Sequence, residues 1–177
     1  MTAGAGVDEQ RLRSLVRDVP DFPKPGVVFK DITPLLADAG ALAAAVEAMA
    51  GSAPACDVVA GVEARGFLLA TPVALALGVG FVPIRKPGKL PWRTRTCTYD
   101  LEYGTDSVEV HEDAVGPGAR VLLVDDVLAT GGTAAASGAL LSGLGATVVG
   151  LSVLIELGFL DGRARLQGFD VSSVLTF

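Results

Sequence analysis

The sequence predicts an α/β fold, a mostly parallel sheet flanked by helices. Three observations carry that expectation. Apolar runs such as Val121-Leu122-Leu123-Val124 lack polar alternation, as strands covered on both faces do. Segments with helical spacing separate these runs, which gives strand–helix–strand units with right-handed crossovers. Gly and Pro fall at the boundaries between the two kinds of segment. With 177 residues, 50% of them hydrophobic and 19% charged, the chain has the size and apolar content of one compact domain and not of a disordered one.

Taken in order, Asp8 to Asp18 places Leu12, Leu15 and Val16 on one face and is expected to be a helix. Pro20 to Pro25 breaks it, and Val27 to Phe29 is a short extended piece. Asp31 to Pro34 turns the chain, and Asp38 caps a helix through Ala50. Asp57 to Ala60 reads as a buried strand leading into the loop Gly61 to Gly66. Phe67 to Leu77 is then helical and Gly80 to Ile84 a strand. Thr98 to Tyr103 and Ser107 to His111 form a polar hairpin around Gly104-Thr105-Asp106. Val121 to Asp125 is a strand, a helix begins at about Gly132, and Thr147 to Ile155 is another strand. A short helix at Gly162 to Leu166 and a strand at Val171 to Leu175 complete the order.

Composition narrows the function. The net charge is −6 and the isoelectric point about 4.7, with no general basic patch for nucleic acid. Arg85, Lys86, Lys89, Arg93 and Arg95 do gather, either as a solvated loop or as a local attraction for a polyphosphate. Gly66 to Ile84 and Val127 to Ile155 carry no charge, but Pro72, Pro83 and several glycines cut them into strand–helix–strand units, so no membrane span is expected. Cys56 and Cys97 give no disulfide framework or zinc pattern; Cys56 is expected beside a strand start and Cys97 in a loop. The lone His111 is expected on the surface, and no secretory h-region stands at the N-terminus.

The chemistry concentrates in Val121 to Thr133, where an apolar strand runs into Asp125-Asp126 and then Ala129-Thr130-Gly131-Gly132-Thr133. Groups at the carboxyl end of such a strand lie where open α/β sheets bind ligands. The loop has little bulk, so its N–H groups can close on a phosphate at a helix start, and Thr130 and Thr133 add hydroxyls. The two acids, about one sugar's width away, suit paired hydroxyls, and the whole reads as a site for a phosphorylated ribose. The alternative is a loop that merely starts a helix, with the acids capping it.

Three further constellations accompany it. Gly61-Val62-Glu63-Ala64-Arg65-Gly66 can offer amides and a guanidinium to a diphosphate, or hold a surface Glu–Arg pair before a helix. Arg85-Lys86-Pro87-Gly88-Lys89-Leu90-Pro91, with the loop as far as Thr98, suits a lid that keeps water from a reactive centre; Glu102 and Tyr103 would ride with it, or else sit on a solvated hairpin. Asp21 to Pro34 holds a backbone edge rigid beside Phe29, which can stack on a planar heterocycle or pack as a core side chain.

In this order the motifs resemble the adenine phosphoribosyltransferases, within the type I phosphoribosyltransferase family, and the resemblance covers nearly the whole chain. It rests on Phe-Pro-Lys-Pro-Gly, Glu-Ala-Arg-Gly-Phe, Arg-Lys-Pro-Gly-Lys-Leu-Pro, Tyr-Asp-Leu-Glu-Tyr-Gly, Asp-Asp-Val-Leu-Ala-Thr-Gly-Gly-Thr and Leu-Ile-Glu-Leu. It implies a type I fold in one domain over 1–177, with a small hood over about 1–35 and a flexible loop. It also implies a cytoplasmic purine-salvage homodimer that converts adenine and 5-phosphoribosyl 1-diphosphate into AMP and diphosphate with Mg²⁺, the metal held through substrate and not by direct protein ligands. Neither nucleic acid nor membrane is an implied partner.

The resemblance also implies roles. Ala129, Thr130, Gly131, Gly132 and Thr133 would take the 5′-phosphate, and Asp125 and Asp126 the ribose hydroxyls. Arg65 and Lys89 would take diphosphate, with Arg85 and Lys86 reaching across a dimer interface. The backbone of Val28 and Lys30 would read adenine between Phe29 and Leu157, and Glu102 would assist proton transfer, with Arg65 the second catalytic group. Lys30 departs from relatives that have Arg, and Trp92 to Cys97 matches no family motif. Transferases for 6-oxopurines commonly place Asp where this chain has Ala129. Two rivals remain: a non-catalytic sensor of phosphoribosyl diphosphate, which would need a DNA-reading module that about twenty N-terminal residues cannot supply, and a transferase for another base.

Overall fold

The computed structural model describes residues 8–100, 104–166, 168 and 170–177, with the side chain of Asp100 left aside. The chain divides at Ala48/Met49 into two compact units. In the first, the Asp8 carboxylate accepts the Arg11 N–H (3.0 Å) and starts α1, Glu9–Ser14. The helix expected as far as Asp18 stops earlier: Arg17–Pro20 is β1, paired antiparallel with β2, Val28–Asp31. The Leu15 and Val16 N–H groups close the helix on the Leu12 and Arg13 carbonyls (3.1 Å each), and strand pairing takes up the backbone from Arg17 onward. The connecting turn is pinned by Asp21, whose carboxylate accepts the Gly26 N–H (2.8 Å).

Asp31 then accepts both the N–H and the hydroxyl of Thr33, at 2.9 and 2.6 Å. The expected turn at Asp31 to Pro34 leads directly into a helix, α2, Thr33–Ala37, with Pro34 in its first turn. Asp38 caps α3, Ala39–Gly51, through the Ala41 N–H (2.8 Å). That N–H and the Arg11 guanidinium hold its carboxyl below the usual range.

The second unit contains β3 (Val58–Val62), α4 (Arg65–Leu77), β4 (Gly80–Ile84), β5 (Thr94–Asp100), β6 (Thr105–His111), β7 (Arg120–Leu128), α5 (Gly132–Gly143), β8 (Thr147–Glu156) and β9 (Val171–Thr176). Two 3₁₀ turns, Gly158–Leu160 and Gly162–Arg165, join β8 to β9. The central sheet has the order β4-β3-β7-β8-β9 and every pair in it is parallel, as the uninterrupted apolar runs require. Val121 to Val124 are fully buried, as are Val59, Ala60 and Leu151 to within 1%.

Two boundaries shift in ways that matter for the site. Strand β7 continues past Asp125 to Leu128, with Asp125 opposite Val153 and Leu128 opposite Glu156, so the acids lie within the strand. In addition, Thr94 to Cys97, expected in a loop, belong to β5 and pair with His111 back to Val108. Thr105 and Asp106, expected in the hairpin turn, begin β6. The alternating Thr94-Arg95-Thr96-Cys97-Thr98-Tyr99 is good strand sequence. Cys97 and Tyr99 pack against the main hydrophobic core, and a groove between β5 and α5 is lined by Cys97, Ala139 and Leu140.

Candidate active site

The loop after β7 is shaped by glycine. Gly131 has φ +80°, and a Cβ there would lie 2.4 Å from the carbonyl oxygen of Gly162. The Gly131 carbonyl accepts the Ala135 N–H (2.9 Å) and opens α5. No side chain caps that helix start, and its first turn carries no acid. The alternative in which Asp125 and Asp126 cap the helix is therefore wrong: the Asp125 carboxylate accepts the Asp126 N–H instead (2.8 Å). What remains is a helix N-terminus whose amides and dipole are open to an anion. A cleft of about 80 Å³ lies there, lined by Asp125, Val127 to Ala134, Leu151 and Val153.

The acids are poised by burial. Asp125 is pushed well above the usual carboxylate range by burial and by its neighbour's charge. Burial also raises Asp126, opposed by the Arg65 guanidinium. Arg65, the first residue of α4, brings Nε to 2.8 Å from Asp126 Oδ2. This is an ion pair without a well-aligned hydrogen bond, since Oδ2 is buried and no donor meets it at a bonding angle. Helix α4 approaches β7 closely because its second residue is Gly66: a Cβ there would sit 2.8 Å from Asp125 Oδ1 and 3.2 Å from the Val124 carbonyl.

The cations of the Arg85–Lys89 segment are held by carboxylates. Arg85 Nε donates to Glu63 (3.1 Å), the Lys86 N–H donates to the same oxygen (3.0 Å), and the Lys89 ammonium donates to Glu63's other oxygen. Although burial pushes Glu63 up, these donors bring it down to about 2. The expected surface pair of Glu63 with Arg65 does not form: Glu63 faces the Arg85–Lys89 segment and Arg65 faces Asp126. The Lys86 ammonium donates to Asp106 and lies 5.9 Å from the centre of the Tyr99 ring. Buried Glu109 accepts the N–H groups of Lys89 and Leu90, each at 3.3 Å.

Asp106, Glu109 and Tyr99 were not singled out from sequence, where they read as ordinary hairpin residues. Their signal is the strand register, which puts Tyr99 opposite Asp106. His111, expected on the surface, is half-buried with Nε2 enclosed, because β6 packs its ring inward. Among the described residues, no cluster of three or more His, Cys, Asp or Glu is arranged to hold a metal ion.

Of the residues expected to meet adenine, Leu157 follows β8, with its N–H donated to the Leu128 carbonyl at the end of β7 (2.9 Å). Val28, Phe29 and Lys30 lie on β2 in the first unit, where the Phe29 ring meets Phe22 edge-to-face (5.1 Å between centres) and Lys30 pairs with Asp18 (2.6 Å). Glu102 and Tyr103 lie outside the described residues.

The phosphoribosyl transferase domain family matches residues 31–167. An adenine phosphoribosyltransferase of Frankia casuarinae is 61% identical over 167 residues, covering 93% of this chain and 89% of its own. The chain belongs to the adenine phosphoribosyltransferases. The crystal structure of the adenine phosphoribosyltransferase from Thermoanaerobacter pseudethanolicus superposes with a TM-score of 0.92 at 52% identity, over 96% of this chain and 99% of that one. The enzyme from Saccharomyces cerevisiae, complexed with adenine and an imino-altritol bisphosphate, gives 0.88 at 39% identity, over 94% and 98%. Membership agrees with the type I phosphoribosyltransferase fold expected from sequence.

Proposed function

We propose that the protein transfers the phosphoribosyl group of 5-phosphoribosyl 1-diphosphate to adenine, giving AMP and diphosphate in purine salvage. The observation that carries this reading is the acid pair on β7 running into an uncapped, glycine-shaped helix start. The loop N–H groups of Ala129 to Thr133 hold the 5′-phosphate, and Asp125 and Asp126 orient the ribose hydroxyls. Held rigidly by β7 and Arg65, these carboxylates favour the positive charge that develops on the sugar as the C1–diphosphate bond loosens. Displacement at C1 proceeds with inversion. Arg65 and Lys89, with Arg85 and Lys86 contributed across a homodimer, neutralise the leaving diphosphate. Exposed Leu68 and Leu75 on α4 suit a surface that a second copy covers.

Adenine offers an exocyclic amine beside a ring acceptor, which matches a backbone C=O and N–H of Val28 and Lys30, with Phe29 against its ring. Glu102 assists the proton at the base. Magnesium would be held by substrate oxygens and water, with Asp125 and Asp126 left to the ribose. When bound there it offsets charge on the diphosphate. The whole chain, hood included, acts as one domain in the cytoplasm; no described helix is long and apolar enough to cross a membrane.

Diphosphate release measured with adenine, hypoxanthine, guanine, xanthine and orotate tests the reading. Release with adenine and little with the others is expected. Release with none of them returns the chain to a binding role, and equal release with hypoxanthine or guanine leaves only the broader transferase activity.

A further inference from the structure

A hydroxyl chain joins the phosphate cradle of one protomer to a cation that the same protomer is proposed to lend to its partner's diphosphate subsite. Thr133 Oγ1 lies 2.9 Å from the Tyr99 hydroxyl, and the Tyr99 O–H donates to Asp106 Oδ2 (3.0 Å). The same oxygen accepts the Lys86 ammonium. Thr133 belongs to the loop assigned to the protomer's own 5′-phosphate and Lys86 to the segment assigned to the partner's diphosphate, so the chain runs from the phosphate end of one active site to the diphosphate end of the other through strands β5 and β6. The Tyr99 ring also packs on Gly132, where a Cβ would lie 3.4 Å from its edge.

The protons in this chain can be counted. Burial raises Asp106, but Lys86, the Ser107 N–H and Tyr99 outweigh it and keep the group a carboxylate. A carboxylate only accepts, and a tyrosine hydroxyl has one proton. With that proton given to Asp106, the Tyr99 oxygen must be the acceptor in its contact with Thr133. The Thr133 proton therefore points at Tyr99 and away from the cradle, which leaves the cradle to its backbone N–H donors. For Thr133 to donate to a phosphate, the Tyr99 contact has to reverse: Tyr99 would turn its proton from Asp106 to Thr133. Asp106 would then hold Lys86 without a second donor on the same oxygen, and so more tightly.

We propose that Tyr99 is a positioning residue that couples the 5′-phosphate subsite of one protomer to the diphosphate subsite of its partner through this shared proton, restraining Thr133 at one end and loosening Asp106's hold on Lys86 at the other. The inference rests on the subsite assignments proposed above. Its direction follows from the count. Occupation of the phosphate cradle in one protomer strengthens its Asp106–Lys86 pair and disfavours diphosphate in the partner's site, so the two sites of the dimer oppose each other's filling.

Tyr99→Phe deletes one oxygen and keeps the ring that contacts Gly132 and Lys86. Calorimetric titration with ribose 5-phosphate and, separately, with magnesium diphosphate reads both ends. The variant should bind ribose 5-phosphate about threefold to tenfold more tightly, as one hydrogen bond gained allows. It should bind diphosphate more weakly, and the antagonism between the two ligands should shrink. Unchanged affinities, or changes of the same sign, overturn the coupling. Gly131→Ala separates the two levels of the argument, since its Cβ meets the Gly162 carbonyl and distorts the cradle without touching Tyr99. Undiminished binding of ribose 5-phosphate by that variant overturns the cradle assignment, and the coupling falls with it.

Discussion

Substituting Gly66 by alanine separates the part of this site that holds the fold from the part that holds geometry. The added Cβ would lie 2.8 Å from Asp125 Oδ1, 3.2 Å from the Val124 carbonyl and 3.3 Å from Asp125 Cα. Two of those three atoms are backbone of a central strand and yield little. The carboxylate yields instead, and to regain ordinary contact at 3.4 Å its oxygen retreats by about 0.6 Å. Overpacking of this kind costs about 1–3 kcal/mol. Alanine in a helix is favoured over glycine by up to about 1 kcal/mol, which offsets part of that. The net loss is therefore about 0–2 kcal/mol, and at roughly 2–4 °C per kcal/mol the melting temperature falls by no more than about 8 °C. Activity responds more strongly, because a misplacement of about 1 Å costs on the order of a hundredfold, so this displacement costs on the order of tenfold. Calorimetric melting beside kcat/KM for phosphoribosyl diphosphate at saturating adenine makes the comparison. A variant that keeps kcat/KM within twofold of the parent refutes the claim that Gly66 sets the Asp125 position. One that loses activity only in step with its folded fraction refutes it too.

Other perturbations have signs fixed by the same geometry. Asp125 titrates above its unfolded value, so its ionisation costs stability at neutral pH and that cost fades as pH falls below the raised value. Asp125→Asn should raise stability at pH 7 by about 0.5–2 kcal/mol while lowering affinity for phosphoribosyl diphosphate, and a variant less stable than the parent at pH 7 contradicts it. Glu63 behaves oppositely: its stabilising contribution is complete above 4.5 and is lost as pH falls towards about 2. Glu63→Gln should therefore destabilise by about 1–2 kcal/mol at pH 7, after discount for the exposed Lys89 and Arg85, with the difference from parent shrinking across that acid window in melts. Thr133→Leu places bulk in the phosphate cradle and should weaken phosphoribosyl diphosphate binding with the fold intact, unchanged affinity by titration being the contrary result. In steady-state comparison adenine should exceed hypoxanthine and guanine in specificity constant. A 6-oxo group would face a backbone carbonyl and leave a buried polar group unpaired at about 1–3 kcal/mol.

What the sequence reveals here follows the reach of each signal. The run Val121 to Val124 and the pair Gly131-Gly132 act locally, so strand β7, the loop and the start of α5 stand close to where the residues put them. In sequence Asp125 and Asp126 look like a polar boundary that ends β7; parallel pairing with Val153 and Ile155 carries the strand on and buries them. The hairpin was harder. Thr94 to Tyr99 alternate two kinds of polar or small side chain, and only packing of Cys97 and Tyr99 against the core distinguishes that segment from a loop.

The carboxylates Glu63, Asp106 and Glu109 mark the true limit. Each binds groups 19 to 26 residues distant in the chain, in pairs set by register and not by spacing. A sequence reader sees Arg85, Lys86 and Lys89 as free cations awaiting an anion. The fold has already given each of them a carboxylate, so a diphosphate bound there, as proposed, would share or displace existing partners and would not fill an empty cationic site. That difference bears on catalysis. Carboxylates keep the cations oriented without substrate and weaken the final hold on diphosphate, and a site that gripped its leaving group at full charge would release it slowly.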